Sequence, residues 1–205
     1  MNNIDAILYI NLAHREDRNT HIQHEISKIC TEQSKIHRID AIQMENGALG
    51  CSLSHIKTIE YMLEHDNWNT CLILEDDFTF RTDDSDDLDR KLSSFFDNFK
   101  DFDMCLLSSC CLVYSTSYEN DIKKVISSQT TSSYILRRAF APTLLENMKE
   151  SSNDMRINGK CYHNHLDMHW KILQPNNSWF VFEPALGYQC PSYSDIEQNF
   201  VSYGR

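Results

Sequence analysis

Three carboxylates, Glu75-Asp76-Asp77, follow directly on the apolar run Cys71-Leu-Ile-Leu74. A short apolar run bounded by polar residues has the pattern of a buried strand. In open α/β sheets, ligands sit beyond the carboxyl ends of the strands. Adjacent carboxylates repel one another unless a cation joins them, and hard divalent ions take oxygen ligands and complete their shells with substrate phosphates. The triplet therefore suits a metal–diphosphate site, and it equally suits a solvated acidic turn. More acids follow at Asp83, Asp84, Asp86, Asp87 and Asp89. That second run lacks the glycine and closing glutamate of an EF-hand loop and reads as a solvated loop and helix start.

A second cluster is His163-Asn-His165-Leu-Asp167-Met-His169-Trp170. His165 and His169 stand four apart, on one face if the segment is helical, a spacing that can chelate zinc. Leu166 occupies the position that HExxH fills with its glutamate base, so a zinc protease is disfavoured. One of these residues could still serve as a base or ligand in a cleft; ordinary partly exposed histidines are the alternative. The segment is expected to open a helix ending in Trp170-Lys-Ile-Leu173.

In Ile10-Asn11-Leu-Ala-His-Arg15-Glu-Asp17-Arg18, the arginines suit phosphate or carboxylate recognition. Equally, they lie exposed on a helix N-terminus with Asp17 near the cap. The glycines of Gly47-Ala-Leu-Gly50-Cys-Ser-Leu-Ser54-His55 either punctuate a helix start or let a ligand approach the backbone.

The elements that must position these residues alternate in period. Ala6–Ile10, Ile36–Ile42, Cys71–Leu74, Met104–Leu107, Ser133–Leu136 and Trp179–Phe182 read as strands. Asp17–Cys30, Ala48–His65, Leu88–Phe99 and Ala139–Met148 read as helices, the second with Leu49, Leu53, Ile56, Ile59 and Leu63 in one stripe. Strands alternating with helices predict an α/β domain with a mainly parallel, Rossmann-like sheet flanked by helices. No internal repeat or linker interrupts the pattern, so residues 1–205 are expected to form one domain.

Composition narrows the function. The formal net charge is −11, which disfavours a nucleic-acid binder that works by neutralising phosphates. Only five glycines exist, and neither GxGxxG nor GxxxxGK[ST] can be written with them. Any nucleotide must be held by something other than a glycine cradle. Eight cysteines include no CxxC and one adjacent pair, Cys110–Cys111, which is a poor disulfide framework; all eight are expected to be reduced. The N-terminus lacks a basic region before its apolar run, and no stretch approaches the ~18 apolar residues of a membrane span. The expectation is a soluble, cytoplasmic protein with no membrane span.

Taken together, the blocks Ile10-Asn-Leu-x-x-Arg15-x-Asp17-Arg18, Gly50-Cys-x-Leu-Ser54-His55 and Leu72-Ile-Leu-Glu75-Asp76-Asp77 resemble glycosyltransferase family 25, the procollagen galactosyltransferase and lipopolysaccharide glycosyltransferase family. Weaker matches are Thr131-x-x-Tyr134, His165-Leu-Asp167, and Gln189 followed by Ser194-Asp195-Ile196. The resemblance implies a GT-A fold, a UDP-sugar donor and inversion at the anomeric carbon. Glu75 and Asp77 then resemble the DXD-type element that holds Mn²⁺ or Mg²⁺. Asn11, Arg15, Arg18, Gly50, Ser54, His55 and Asp76 would approach the donor. Tyr134 and His165 would stand on the acceptor side, with Asp167 as general base. Two departures are visible: Thr130 stands where members often have glycine, and the Ser/Thr stretch Ser127–Ser133 is unusual.

The activity so implied moves a hexose, foremost galactose from UDP-galactose, to an acceptor hydroxyl. Hydroxylysine of a collagen-like protein and a hydroxyl of a lipopolysaccharide-type glycan both fit. A carboxylate–metal phosphohydrolase or nucleotidyltransferase, and an inactive nucleotide-sugar-binding module of the same fold, remain alternatives. Nothing in the sequence bears on the oligomeric state.

Overall fold

The computed structural model describes residues 3–115, 121–194 and 199–201. Its strands are β1 (Ala6–Asn11), β2 (Ile36–Asp40), β3 (Thr70–Glu75), β4 (Phe78–Phe80), β5 (Met104–Leu106), β6 (Cys110–Tyr114), β7 (Ile122–Gln129), β8 (Ser133–Arg137), β9 (Trp179–Phe182), β10 (Gly187–Gln189), β11 (Ser192–Ser194) and β12 (Asn199–Val201). The helices are α1 (Glu16–Ser27), α2 (Gly47–Glu64), α3 (Ser85–Asn98), α4 (Ala141–Asn158) and the single turn α5 (Leu166–His169).

Eight strands form one sheet in the order β2-β1-β3-β8-β5-β9-β7-β6. The pairs β1–β2, β1–β3 and β5–β9 are parallel. The pairs β3–β8, β5–β8, β7–β9 and β6–β7 are antiparallel. Six strands thus share one direction, and β8 and β7 run against them. The sheet is mostly parallel and flanked by helices, the α/β architecture that the alternating periodicity predicts.

The sheet is covered on both faces, which is why β1 and β3 are buried along their length instead of alternating with polar residues. Successive side chains still point to opposite faces. Ala6, Leu8 and Ile10 of β1 join Cys71 and Ile73 of β3 in a core closed by α2, α4 and α5. Ile7, Tyr9, Leu72 and Leu74 join the opposite core, closed by Ile22 and Ile26 of α1 and Leu88, Leu92 and Phe95 of α3. The fully buried indoles of Trp170 and Trp179 meet edge to face at 5.1 Å, a favoured aromatic geometry.

Several boundaries differ from the sequence reading for identifiable reasons. The helix predicted to end at Met148 runs on to Asn158, with its C-cap at Gly159 at φ +80°, a conformation glycine adopts without strain. The helix predicted through Leu173 is one turn of α-helix followed by a 3₁₀ turn, Trp170–Ile172. His165 is that turn's N-cap with extended backbone, so His165 and His169 do not share the helical face their spacing suggested. Arg15 is the N-cap of α1, and Asp17 lies in its first turn, near the cap as expected. The hairpin β6–β7 went unread: β6 is an apolar run, Cys110–Tyr114, that the sequence reading took only as a pair of cysteines, and β7 is largely polar. Among the described residues, no helix is long and apolar enough to cross a membrane.

Candidate functional site

The site is assembled at the ends of β1, β3 and β8. Parallel pairing of β1 with β3 sets Ile10 opposite Glu75, so Asn11 and Asp76 extend side by side beyond the pair. The antiparallel β8 begins where β3 ends: the Glu75 amide donates to the Ser132 carbonyl at 2.8 Å. From above, α2 carries Cys51 and His55, one turn apart on one face, toward Glu75. β10 pairs with β4 so that Gln189 lies opposite Phe78, beside Asp77. This pairing requires Gly187, where a Cβ would stand 2.2 Å from the Phe78 ring.

The three acids separate into different environments. Glu75 Oε1 accepts from His55 Nε2 at 3.2 Å and from the Thr131 hydroxyl at 2.5 Å, and His55 Nδ1 meets the Tyr134 hydroxyl at 2.9 Å. Asp76 has both oxygens engaged, Oδ1 by Arg18 at 2.9 Å and Oδ2 by the Asn11 amide at 2.7 Å. Asp77 is held more loosely, with Arg18 at 3.3 Å and Gln189 at 3.5 Å. One guanidinium therefore faces two carboxylates, with a third close by.

Proton affinities follow from these contacts. Burial pushes Asp77 up to about 7; the Glu75 charge adds to the effect and Arg18 opposes it. Burial also raises Asp76, against the pull of Arg18 and Asn11. Glu75 is lowered: burial works to raise it, but the His55 and Thr131 hydrogen bonds and the charges of His55 and Arg18 prevail. Burial, reinforced by the Glu75 charge, lifts the Cys51 thiol well above its usual value and does the same to the Tyr134 phenol.

These acids line a cleft of about 580 Å³, with Arg18, Ser54 and His55 also in its wall. A smaller cavity of about 200 Å³ adjoins it and is lined by Asp167, His165 and Thr130. Cys51, Glu75 and Gln189 belong to both walls, so the two spaces meet at the end of β3.

Asp167 is half-buried, and its Oδ2 accepts the Thr130 backbone N–H at 3.1 Å. Thr130 has φ +76°, a left-handed value that is a genuine outlier for a β-branched residue. That conformation supplies a physical reason for glycine at this position. The strained loop is anchored at Ser128, whose N–H donates to Gln174 and whose carbonyl accepts from Gln174 and the Trp170 indole.

The structure therefore gathers two bonded groups at one strand end, Glu75–His55–Tyr134 and Asn11–Asp76–Arg18–Asp77, and sets Asp167 and His165 around the adjoining cavity. Tyr134 is fully buried behind His55 and lines neither space. Arg15 pairs with Asp17, whose carboxyl that contact lowers to about 2. Gly50 is kept bare by the chain itself, since a Cβ would lie 2.5 Å from the Ile42 carbonyl. Ser54 fastens the same loop, accepting the Ile42 N–H and donating to the Gly50 carbonyl. His169 stands apart, 3.7 Å from Glu150. Asp195 and Ile196 lie outside the described residues.

Sequence reasoning missed Cys51 and Thr131. Cys51 was given no role beyond its place in the Gly50–His55 block, yet with His55 and Glu75 it forms a group whose ligand atoms lie within 4.8 Å of one another. Its four-residue spacing from His55 was the available signal. Thr131 appeared only in the weaker match Thr131-x-x-Tyr134, which gave it no role, because its partner is set by the β3–β8 pairing.

The donor set fits a divalent cation. Glu75 belongs to the Cys51–His55–Glu75 group and is also the half-buried neighbour of Asp77, whose proton affinity burial and the Glu75 charge raise; a bound cation would oppose that rise.

The family model for glycosyltransferase family 25 (LPS biosynthesis protein) matches residues 42–158, more than half of the chain. The match includes α2, the acids after β3 and Tyr134; Asn11, Arg15, Arg18, Asp167 and Gln189 lie outside it. No curated protein matches the chain in sequence. Among solved structures, a UDP-glucose pyrophosphorylase complexed with UDP-glucose is 8% identical at a TM-score of 0.53, covering 87% of this chain and 90% of that one. A glycosyltransferase involved in glycosylation of the major capsid of PBCV-1 is 12% identical at a TM-score of 0.52, covering 87% and 81%. A197 from STIV is 9% identical at 0.50, covering 98% and 95%. At these identities the likeness is one of fold.

Proposed function

Because the chain belongs to glycosyltransferase family 25, we propose that it is a metal-dependent inverting hexosyltransferase. It would move galactose from UDP-galactose to an acceptor hydroxyl of a collagen-like protein or a lipopolysaccharide-type glycan, with residues 1–205 acting as one catalytic domain. The observation that carries this reading is the pair of adjoining spaces. A cleft of about 580 Å³ carries the carboxylates, a cavity of about 200 Å³ carries Asp167, and both meet at Glu75.

The donor occupies the larger cleft. Glu75 and Asp77 would hold Mn²⁺ or Mg²⁺, which supplies Lewis-acid neutralisation of the diphosphate leaving group. Asp76 does not serve as a ligand, because Arg18 and Asn11 occupy its oxygens; it fixes the Arg18 guanidinium at the cleft wall, where an arginine suits phosphate. His55, held by Tyr134, orients Glu75.

The acceptor enters the smaller cavity. Asp167 is aimed by the Thr130 N–H on Oδ2, and Oδ1 has no partner among the described residues, which suits it to take the acceptor proton. As the acceptor oxygen bonds to the anomeric carbon from the face opposite UDP, the bond to the β-phosphate oxygen breaks and its electron pair leaves with UDP. The proton passes to Asp167, general-base assistance worth about 10²–10⁴-fold.

The test is incubation with a panel of UDP-sugars and Mn²⁺, with and without EDTA. Slow UDP release from one UDP-hexose, abolished by EDTA, supports the transferase. Release of inorganic phosphate or pyrophosphate indicates the hydrolase or nucleotidyltransferase alternative. Thermal stabilisation by UDP-sugar without turnover indicates a binding module. The mass of a product made on a collagen-type peptide or an oligosaccharide identifies the acceptor.

A further inference from the structure

The adjacent cysteines at the start of β6 stand outside the network of the two spaces' shared wall. Cys110 Sγ and Cys111 Sγ are 3.5 Å apart. Cys111 is exposed, while Cys110 is half-buried and forms part of the wall of the smaller cavity. Cys110 pairs with Gln129 across the hairpin, and Gln129 lines the same cavity. Cys111 holds φ +51°, a left-handed conformation uncommon for a residue with a side chain.

We propose that Cys110 and Cys111 are a redox-active dithiol that closes to a disulfide by exchange with a low-molecular-weight disulfide, and that closure restricts the smaller cavity. The exposed Cys111 is the first nucleophile. Its thiolate attacks one sulfur of the oxidant, the oxidant's S–S bond breaks, and one thiolate leaves. Cys110 then attacks the Cys111 sulfur of the mixed disulfide and displaces the second thiolate. The protein gives up two electrons and two protons, and the oxidant becomes two free thiols. Burial and the neighbouring Cys111 push the Cys110 thiol up, consistent with its acting second.

The closed form is reversible by construction. Neighbouring Cα atoms across a trans peptide stand about 3.8 Å apart, less than the ~4.4–6.8 Å at which disulfides are relaxed. Strained, exposed disulfides are the readily reduced ones. Closure must draw the two sulfurs to about 2.05 Å, which displaces a wall residue of the cavity that Asp167 lines. This consequence rests on the proposed acceptor role of that cavity; the covalent step does not.

The protein would be incubated with glutathione disulfide, alkylated, digested and analysed by tandem mass spectrometry. The expected result is loss of two hydrogens localised to Cys110–Cys111, reversed by dithiothreitol. The oxidised protein should transfer sugar at least about tenfold more slowly, as an ångström-scale misplacement at an acceptor site does, with unchanged affinity for UDP. Cys111→Ser should retain transfer and lose the sensitivity to oxidant. Separate alkylation of both cysteines after oxidant treatment overturns the proposal, and so does a bridge that leaves transfer unchanged. If the reduced chain transfers no sugar at all, that counts against the proposed function alone, and the mass shift still decides the dithiol.

Discussion

Two acidic runs lie within fifteen residues of each other and have opposite fates. Glu75, Asp76 and Asp77 end a buried strand, and two of them are raised in proton affinity by burial. Asp83, Asp84, Asp86, Asp87 and Asp89 surround the start of α3, all exposed except the half-buried Asp87. There Asp84 caps the helix, accepting the Asp86 and Asp87 N–H groups at 3.1 Å. Lys28 lowers Asp83 from 2.7 Å away, and Lys91 chiefly lowers Asp87, which also contacts Arg90. The residue type is the same, but the balance of burial and cations is not. Exposed acids with basic partners stay ionised and support a helix end. Acids that share one arginine inside the fold repel one another, and in the proposed function they are the group that takes the cation.

The largest effect that could break this contrast is at Asp77. Asp77→Asn should lower Mn²⁺-dependent affinity for UDP by about a hundredfold or more, as loss of a charged ligand to a buried cation would. Calorimetry checks this, and equal UDP affinity in Mn²⁺ and EDTA for the unmutated protein would sink the metal reading. The same substitution should stabilise the metal-free fold at pH 8. The folded-state pKa of Asp77, about 7, exceeds the ordinary aspartate value of 3.8. The native state therefore holds a proton that the unfolded chain has released, and stability falls as pH rises from about 4 through 7. Asparagine removes that loss, worth roughly 2–4 kcal/mol. The gain should vanish below about pH 4, measured by urea unfolding across pH.

Asp167 belongs to neither run and calibrates them. Asp167→Asn should cut transfer by at least about a hundredfold while leaving UDP affinity nearly unchanged, because the lost interaction matters in the transition state. If transfer survives there but collapses in His165→Gln, the base is His165. If UDP-sugar binding itself disappears, Asp167 belongs to the donor side.

The downstream run should yield smaller effects of a different kind. Asp84→Ala removes a helix cap and should cost about 1 kcal/mol of stability, read by chemical denaturation, with kcat and UDP affinity unaltered. The smallest effect is expected at Asp87→Asn, which loses exposed pairs with Lys91 and Arg90 that salt already screens. Its unfolding midpoint should match the unmutated protein in high salt, and its response to Mn²⁺ should be the same at every ionic strength. A change in Mn²⁺ response there would show that the two runs are not separate.

Periodicity alone determines much of this protein's secondary structure. The apolar runs of β1, β3 and β9 are short and bounded by polar residues, and those of β1 and β9 are rich in β-branched and aromatic residues, which favours strands over helices. The stripe from Leu49 to Leu63 marks α2 by its helical period. The triplet Glu75-Asp76-Asp77 could be placed at a strand end, since its position follows from the run before it. Local pattern carries such information because it depends on residues that are neighbours in the chain.

What the three acids do relative to one another was decided only by the tertiary structure. Asn11 reaches Asp76 because β1 and β3 are paired in one register, and Thr131 reaches Glu75 because β8 runs antiparallel to β3. Asp167 faces Thr130 because Gln174 and Trp170 pin the turn at Ser128. These partners are separated by 65, 56 and 37 residues. No composition or spacing rule spans such distances, because burial and charge at a site are sums over whatever the fold brings within a few ångströms. The sequence thus determined that carboxylates would stand at a strand end; packing decided that Arg18 and Asn11 hold both oxygens of Asp76 while Asp77 keeps looser partners.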